Sequence, residues 1–284
     1  MASVEKVYAN QFEQVYPLLE LFNNQQLTKK DWGELFKTKW TGSPDHCGYA
    51  LIDGGRAVGF IGTLFSKRII NGKQAKLCNI TSWIVDPSFR NKSLLLLRPI
   101  LQLRDYTITN LTPTIDTVSL FEKCYFEKLE TSFKSFIPSF PLLRRKSKYS
   151  LVTETELIRS YLNENELNIH KDHKEPICKH LIVKSLSSYC YIVFNILKRK
   201  RLPCTQFYYI SNPELFLGAT SWIQHYLFKK YKSMLTFFDS RLLKGIKTNS
   251  GIKCYLNAPR LFRSPNLSSV EIDNLYTELL LLRL

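Results

Sequence analysis

The stretch Trp83 to Leu95 concentrates the residues best suited to chemistry. Trp83-Ile84-Val85 reads as the end of a strand, Asp86-Pro87 as a turn, and Lys92 to Leu103 as a helix. A strand that turns directly into a helix leaves the first helical N–H groups unpaired and pointing outward. The helix start also carries partial positive charge, which makes the junction a seat for phosphate. Arg90 and Lys92 add full charges beside it. The alternative is an ordinary strand–helix junction, with Asp86 as its capping or turn residue.

Groups able to move protons are scarce nearby. The strand before Pro87 offers Asn79, Thr81 and Ser82, none a good base near neutral pH. Asp86 and Asp116 are the nearest carboxylates along the chain. Thr109, Asn110 and Thr112 fall near the end of the next strand and are expected to line the site. The five histidines do not cluster with the seven cysteines at zinc spacing, and no Cys-x-x-Cys pair exists, so no metal is expected. An odd cysteine count without regular spacing points to reduced thiols in a cytoplasmic protein. No apolar run is long enough to span a bilayer, and no secretory signal is expected from Met-Ala-Ser-Val-Glu-Lys, which has no apolar stretch behind it.

Periodicity supplies the elements around these residues. Apolar side chains at Phe12, Val15, Leu18, Leu19 and Phe22 predict a helix over 11–22, and Thr28 caps a second one from Lys29 to about Lys39. Strands follow at Gly48–Ile52, Ala57–Ile70 and Ala75–Val85, joined by Asp53-Gly54-Gly55 and Asn71-Gly72 turns. Beyond Pro87 come the helix, a short strand at Tyr106–Leu111, a helix at Thr117–Cys124 and a closing strand or hairpin at Phe126–Ile137. This order predicts an α/β (α+β mixed) sheet with helices on both faces.

Pro138, Pro141 and the basic stretch Arg144–Lys148 mark a boundary, giving domains of 1–140 and 141–284. Beyond it, Glu154–Asn163 is helical and Glu164–Pro176 polar and loop-like. Strands are expected at His180–Lys184, Tyr189–Leu197 and Thr205–Ile210, then a helix at about Leu217–Lys230 and a strand at Met234–Asp239. Leu275–Leu282 fits either a strand or a helix. Tyr209-Ile210-Ser211-Asn212-Pro213 ends a strand before a helix much as Trp83–Pro87 does, which suggests two similar domains in tandem. The net charge of +16 is uneven: residues 1–142 hold 17 basic and 13 acidic residues, residues 143–284 hold 23 and 11. That excess is either a solvated surface or an attraction for an anionic partner.

Two strings in this frame resemble a known family. Trp83–Leu95 resembles the strand–Pro–x–x–Arg–x–x–Gly–x–Gly/Ala–helix signature of the GNAT (Gcn5-related N-acetyltransferase) superfamily. Ser119–Lys128, with Leu120-Phe121-Glu122-Lys123, resembles that family's Leu-Tyr-Glu-Lys-x-Gly-Phe segment. The resemblance implies an acyl-CoA N-acyltransferase (GNAT-like) fold, with acetyl-CoA or another acyl-CoA entering where two strands splay. It implies that Ile84 and Val85 pair with the pantetheine arm. It also implies that Arg90, Asn91, Lys92, Ser93, Leu94 and Leu95 hold the pyrophosphate, and that Asn110 lies against the cofactor. Thr81, Ser82 and Tyr125 are the catalytic candidates it offers. Ser93 and Leu95 stand where the family has small residues, and Phe121 stands where it has a proton-donating tyrosine.

The implied function is transfer of an acetyl or other acyl group to an amine or hydroxyl of a small molecule or sugar, the acceptor being acidic if the basic half meets it. The alternatives are a catalytically degenerate GNAT-like binding or regulatory module, and binding of an anionic surface or nucleic acid through the basic half. The last lacks a recognised motif, and Lys198–Arg201 is readable as a hairpin turn.

Overall fold

The computed structural model describes residues 2–282 apart from 38–39, 137–147, 175, 200–201 and 247–250. In chain order the first part holds β1 (Ser3–Tyr8), α1 (Phe12–Glu20), α2 (Lys29–Lys37), β2 (His46–Asp53), β3 (Arg56–Ile70) and β4 (Lys73–Val85). It continues with α3 (Leu94–Leu101), β5 (Tyr106–Asn110), α4 (Ile115–Lys123) and β6 (Glu127–Phe136). The second part holds β7 (Ser150–Val152), α5 (Thr155–Tyr161), α6 (Glu164–Asp172), β8 (Lys179–Lys184), β9 (Tyr189–Arg199) and β10 (Leu202–Ile210). It ends with α7 (Pro213–Gly218), α8 (Thr220–Tyr231), β11 (Leu235–Asp239), β12 (Ile252–Arg263) and α9 (Glu278–Leu281).

The tight turns form as their residues dictate. Gly54 and Gly55 (φ +56° and +77°) close the β2–β3 hairpin, and Asn71-Gly72 (φ +50° and +75°) closes β3–β4. Lys198 and Arg199 pair with Pro203 and Leu202 across the β9–β10 hairpin.

All the described strands join one twelve-stranded sheet in the order β1-β2-β3-β4-β5-β12-β6-β11-β10-β9-β8-β7. Read inward from its two edges, the sheet repeats itself. Each end has three antiparallel steps followed by one parallel pair, β4 with β5 and β10 with β11. At the centre the two parts exchange strands: β12 lies beside β5, β6 lies beside β11, and the two exchanged strands pair with each other. The expected boundary at residue 140 lies outside the described residues.

Helices cover both faces. On one, α1 and α2 pack Val15, Leu18, Leu19, Trp32, Leu35 and Phe36 into a core that runs on to Ile158, Ile169 and the leucines of α9. On the other, α3 and α4 (Leu96, Leu97, Ile100, Val118, Phe121) and α7 and α8 (Leu215, Phe216, Ile223, Leu227) form two separate clusters. A fully buried Leu or Phe of this kind contributes roughly 1.5–3 kcal/mol.

Two stretches differ from the periodicity reading, and two on which it is silent form strands. Ser3–Tyr8 forms an edge strand whose pairing with β2, rather than its composition, makes it a strand. The polar stretch expected as a loop from Glu164 is helical over most of its length. Asn163 accepts a bond from the Glu166 amide (2.9 Å), and the Glu166 carboxylate accepts one from the Asn163 amide (3.2 Å). Ile252–Arg263, which carries no clean alternation, becomes β12 because strands wait on both its sides. The helix expected from Lys92 starts at Leu94, after a 3-10 turn over Pro87–Lys92.

Candidate functional site

The parallel β4–β5 ladder runs from Lys76↔Tyr106 to Ile80↔Asn110 and stops there. β4 continues to Val85, still held on its other side by β3 through Phe60↔Ile84 and Gly59↔Val85. The edge Thr81–Val85 therefore faces a mouth rather than a strand. Its register against β3 slips, with Gly62↔Thr81 but Phe60↔Ile84, so β4 carries an extra residue. Ser82 absorbs it at φ +51°, a left-handed conformation that costs a non-glycine residue roughly 1 kcal/mol. Such a bulge takes backbone groups out of the ladder and leaves them free for other partners. It also resets which face each side chain meets: Trp83 and Val85 pack with α3 and α4, Ile84 with the α1–α2 core. Gly62 makes room opposite, since a Cβ there would stand 2.8 Å from Thr81 Cγ2.

Past Val85 the chain turns tightly. Asp86 caps the 3-10 turn by accepting the Ser88 amide (3.0 Å), and Pro87 takes its first position. Without glycines the loop winds on itself. Phe89 N–H donates to Asp86 O (2.8 Å) and Ser93 N–H to Arg90 O (3.1 Å). The first-turn amides of α3, on Leu94 and Leu95, are those that an anion would meet. Arg90 and Asn91 are exposed and Lys92 and Ser93 half-buried around them. Gly59 lets this helix approach the sheet: a Cβ there would meet Leu96 Cδ1 and Val85 Cγ2 at 3.2 Å.

On the α1–α2 face, a buried polar cluster sits where β4 and β5 part. Asn79 Oδ1 accepts from Thr109 Oγ1 (3.1 Å), its register partner across the ladder. Asn79 Nδ2 donates to the Glu278 carboxylate, and Thr112 Oγ1 donates to the other carboxylate oxygen (2.8 Å). Glu278 belongs to α9, which packs against α2, and it is 0% exposed. Burial pushes its carboxyl above the usual glutamate range, against the pull of the Thr112 and Asn79 hydrogen bonds and of Arg260.

Of the residues the sequence singled out, the fold brings Thr81, Ser82, Ile84, Val85 and Asn110 to the mouth, and Arg90–Leu95 to its outer end. Thr81 and Ser82 hydroxyls lie 3.1 Å apart. Tyr125 follows α4 at φ +63° and is 85% exposed, with no hydrogen bond or ring contact to the cluster among the described residues. Phe121 is buried under Trp83, ring centroids 5.8 Å apart. Glu278 escaped sequence reasoning, although a carboxylate set in Leu275–Leu282 is itself a sign of a buried, partnered acid. In the second part, Phe216 near the start of α7 lies in the core against Phe207 and Phe238. Among the described residues, no group of three or more His, Cys, Asp or Glu is placed to hold a metal, and no helix is long and apolar enough to cross a membrane.

No protein-family model matches this sequence, and no curated protein does. Solved structures do match. A GCN5-related N-acetyltransferase from Anabaena variabilis superposes with a TM-score of 0.59 at 12% identity, over 92% of this chain and 72% of the other. One from Kribbella flavida gives 0.57 at 11% identity, over 92% and 70%. A conserved protein of unknown function from Enterococcus faecalis gives 0.62 at 9% identity, over 93% and 73%. The chain is similar to these along nearly its whole length, and the fold is that of the GNAT superfamily.

Proposed function

We propose that this chain is an acyl-CoA-dependent acyltransferase acting on an amine or hydroxyl of a small-molecule acceptor. The observation that carries it is the mouth itself: β4 outruns β5, carries a bulge at Ser82, and ends in the turn that bears Arg90 and Lys92. A pantetheine amide chain would add along the free edge of Thr81–Val85 as an extra strand does. Its pyrophosphate would meet the amides of Leu94 and Leu95 and the charges of Arg90 and Lys92. The acyl group would then point toward Thr81, Asn110 and the polar cluster on the α1–α2 face. Two GNAT-like units in tandem, only the first with a phosphate seat, fit the repeated strand order and the buried Phe216.

Calorimetric titration with acetyl-CoA tests this. Saturable binding that Arg90→Glu weakens is expected, and no binding to the intact chain would refute it. A second reading, binding without transfer, draws on the exposed Tyr125 and the buried Phe121: neither of these two positions puts a phenol at the cluster to protonate a leaving thiolate. Acyl-CoA binding with no transfer to amines or alcohols would favour it.

A further inference from the structure

We propose that Glu278 is the proton acceptor for the incoming nucleophile, carried to the β4–β5 mouth by the segment that follows β12. The inference rests on the acyl-CoA reading above.

Position is the first argument. The Glu278 carboxylate bridges the two sides of the mouth, from Asn79 on β4 to Thr112 just after β5. Asn79↔Thr109 is the last rung but one before the strands separate. An acyl group drawn along Thr81–Val85 would end beside this crotch. The second argument is exclusion: Asn79, Thr109 and Thr112 are neutral, so Glu278 is the carboxylate this polar cluster contains. The third is incompleteness. Among the described residues Glu278 forms no ion pair, although a fully buried carboxylate is costly without a cation. An acceptor ammonium would supply that cation. Thr112 is exposed, so its hydroxyl links the buried carboxylate to the surface where an acceptor would arrive.

The step balances. The acceptor ammonium gives one proton to Glu278, and the freed lone pair forms the C–N bond to the thioester carbon. The C–S bond breaks, the second nitrogen proton passes to the departing sulfur, and Glu278 returns its proton to solvent. The products are an amide, the CoA thiol and one proton. A carboxylate raised by burial is better matched to this task than a solvated one. Arg260 on β12 is the charged side chain acting on it, while Asn79 and Thr112 are the neutral ones.

The test uses the full chain with carbon-13 at glutamate side-chain carboxyls, titrated with and without saturating acetyl-CoA. Glu278→Gln identifies the signal; if that variant does not fold, Thr112→Val, which removes one hydrogen bond, identifies it by displacement. The Glu278 midpoint should lie above those of exposed glutamates and move by about half a pH unit or more when acetyl-CoA binds. Glu278→Gln should keep acetyl-CoA affinity within about twofold, and on any primary amine the wild type acetylates it should lower kcat by about a hundredfold. A Glu278 signal indifferent to bound acetyl-CoA, or an undiminished kcat, overturns this inference alone. Failure of acetyl-CoA to bind the wild type overturns the acyl-CoA reading, and this inference with it.

Discussion

Arg260 of β12 donates to the carboxylate of Asp239, the last residue of β11, inside the sheet where the two parts exchange strands. The same carboxylate accepts from Arg241 (3.0 Å) and from Asn274, and Glu130 on β6 lies 3.6 Å from Arg241. Asp239 is 0% exposed, so this is a buried network rather than a surface pair. Removing one member of such a network leaves the others charged and unpaired, typically at about 3–5 kcal/mol. Asp239→Ala should lose that much in urea-induced unfolding. Glu156→Ala, which breaks the exposed Arg159–Glu156 pair (3.4 Å), should cost no more than about 0.5 kcal/mol. Because β6 and β12 tie both parts together, loss at Asp239 should shift one cooperative transition and not split it in two.

Acid should weaken the fold in two stages. Burial depresses His173 to about 4 and His180 to about 3, and moves His46 and His170 in the same direction. Each is neutral in the folded chain while its unfolded counterpart takes a proton near pH 6.5. Their contribution is therefore complete above about pH 6.5 and is lost as pH falls toward 4. Glu278 works in the opposite sense, since its raised carboxyl gains stability on acidification, and it offsets part of the loss. Burial alone would raise Asp239, but Arg260 and Arg241 outweigh it and hold its carboxyl below the usual range. Its contribution persists above about pH 4 and disappears only below that. Urea midpoints measured from pH 8 to 4 should begin to fall near 6.5. His180→Gln should flatten the slope by about one proton, or about 1.4 kcal/mol per pH unit.

The sequence disclosed what local chemistry decides. Asn71-Gly72 had to be a hairpin turn, and the alternation and β-branched content around it gave β3 and β4 nearly to their ends. Trp83–Leu95 was legible because a proline and two cations punctuate one strand–helix step. The rest depends on partners distant along the chain. Ile252–Arg263 has no clean alternation, and only the gap between β5 and β6 makes it a strand. Glu278 meets Asn79 across some two hundred residues, so no spacing rule could pair them. The Asn163–Glu166 capping pair starts α6 in a stretch whose polarity reads as a loop.

The phosphate seat can be probed without knowing the acceptor. If Arg90 and Lys92 hold the pyrophosphate, acetyl-CoA should raise the melting temperature of the wild type through preferential binding to the folded chain. Arg90→Glu should weaken binding by about tenfold or more, equivalent to about 1.4 kcal/mol, and the wild-type affinity should fall as salt rises. Both residues lie outside the buried core, so the unliganded melting temperature should hardly change.

The bulge separates backbone strain from binding. Ser82 sits at φ +51°, where glycine is unstrained, so Ser82→Gly should leave stability unchanged or gain up to about 1 kcal/mol. Ser82→Val should lose about 1–2 kcal/mol, because a β-branched side chain tolerates that conformation poorly. Gly62→Ala acts on the same place from the neighbouring strand, since its Cβ would stand 2.8 Å from Thr81 Cγ2 and 3.2 Å from Thr81 O. Thr81 would have to move, and with it the edge proposed to pair with pantetheine. Acetyl-CoA affinity should therefore survive in Ser82→Gly and drop in Gly62→Ala, as read by calorimetry on both variants at matched stability. Equal affinity in the two would mean that the edge at Thr81–Val85 takes no part in binding.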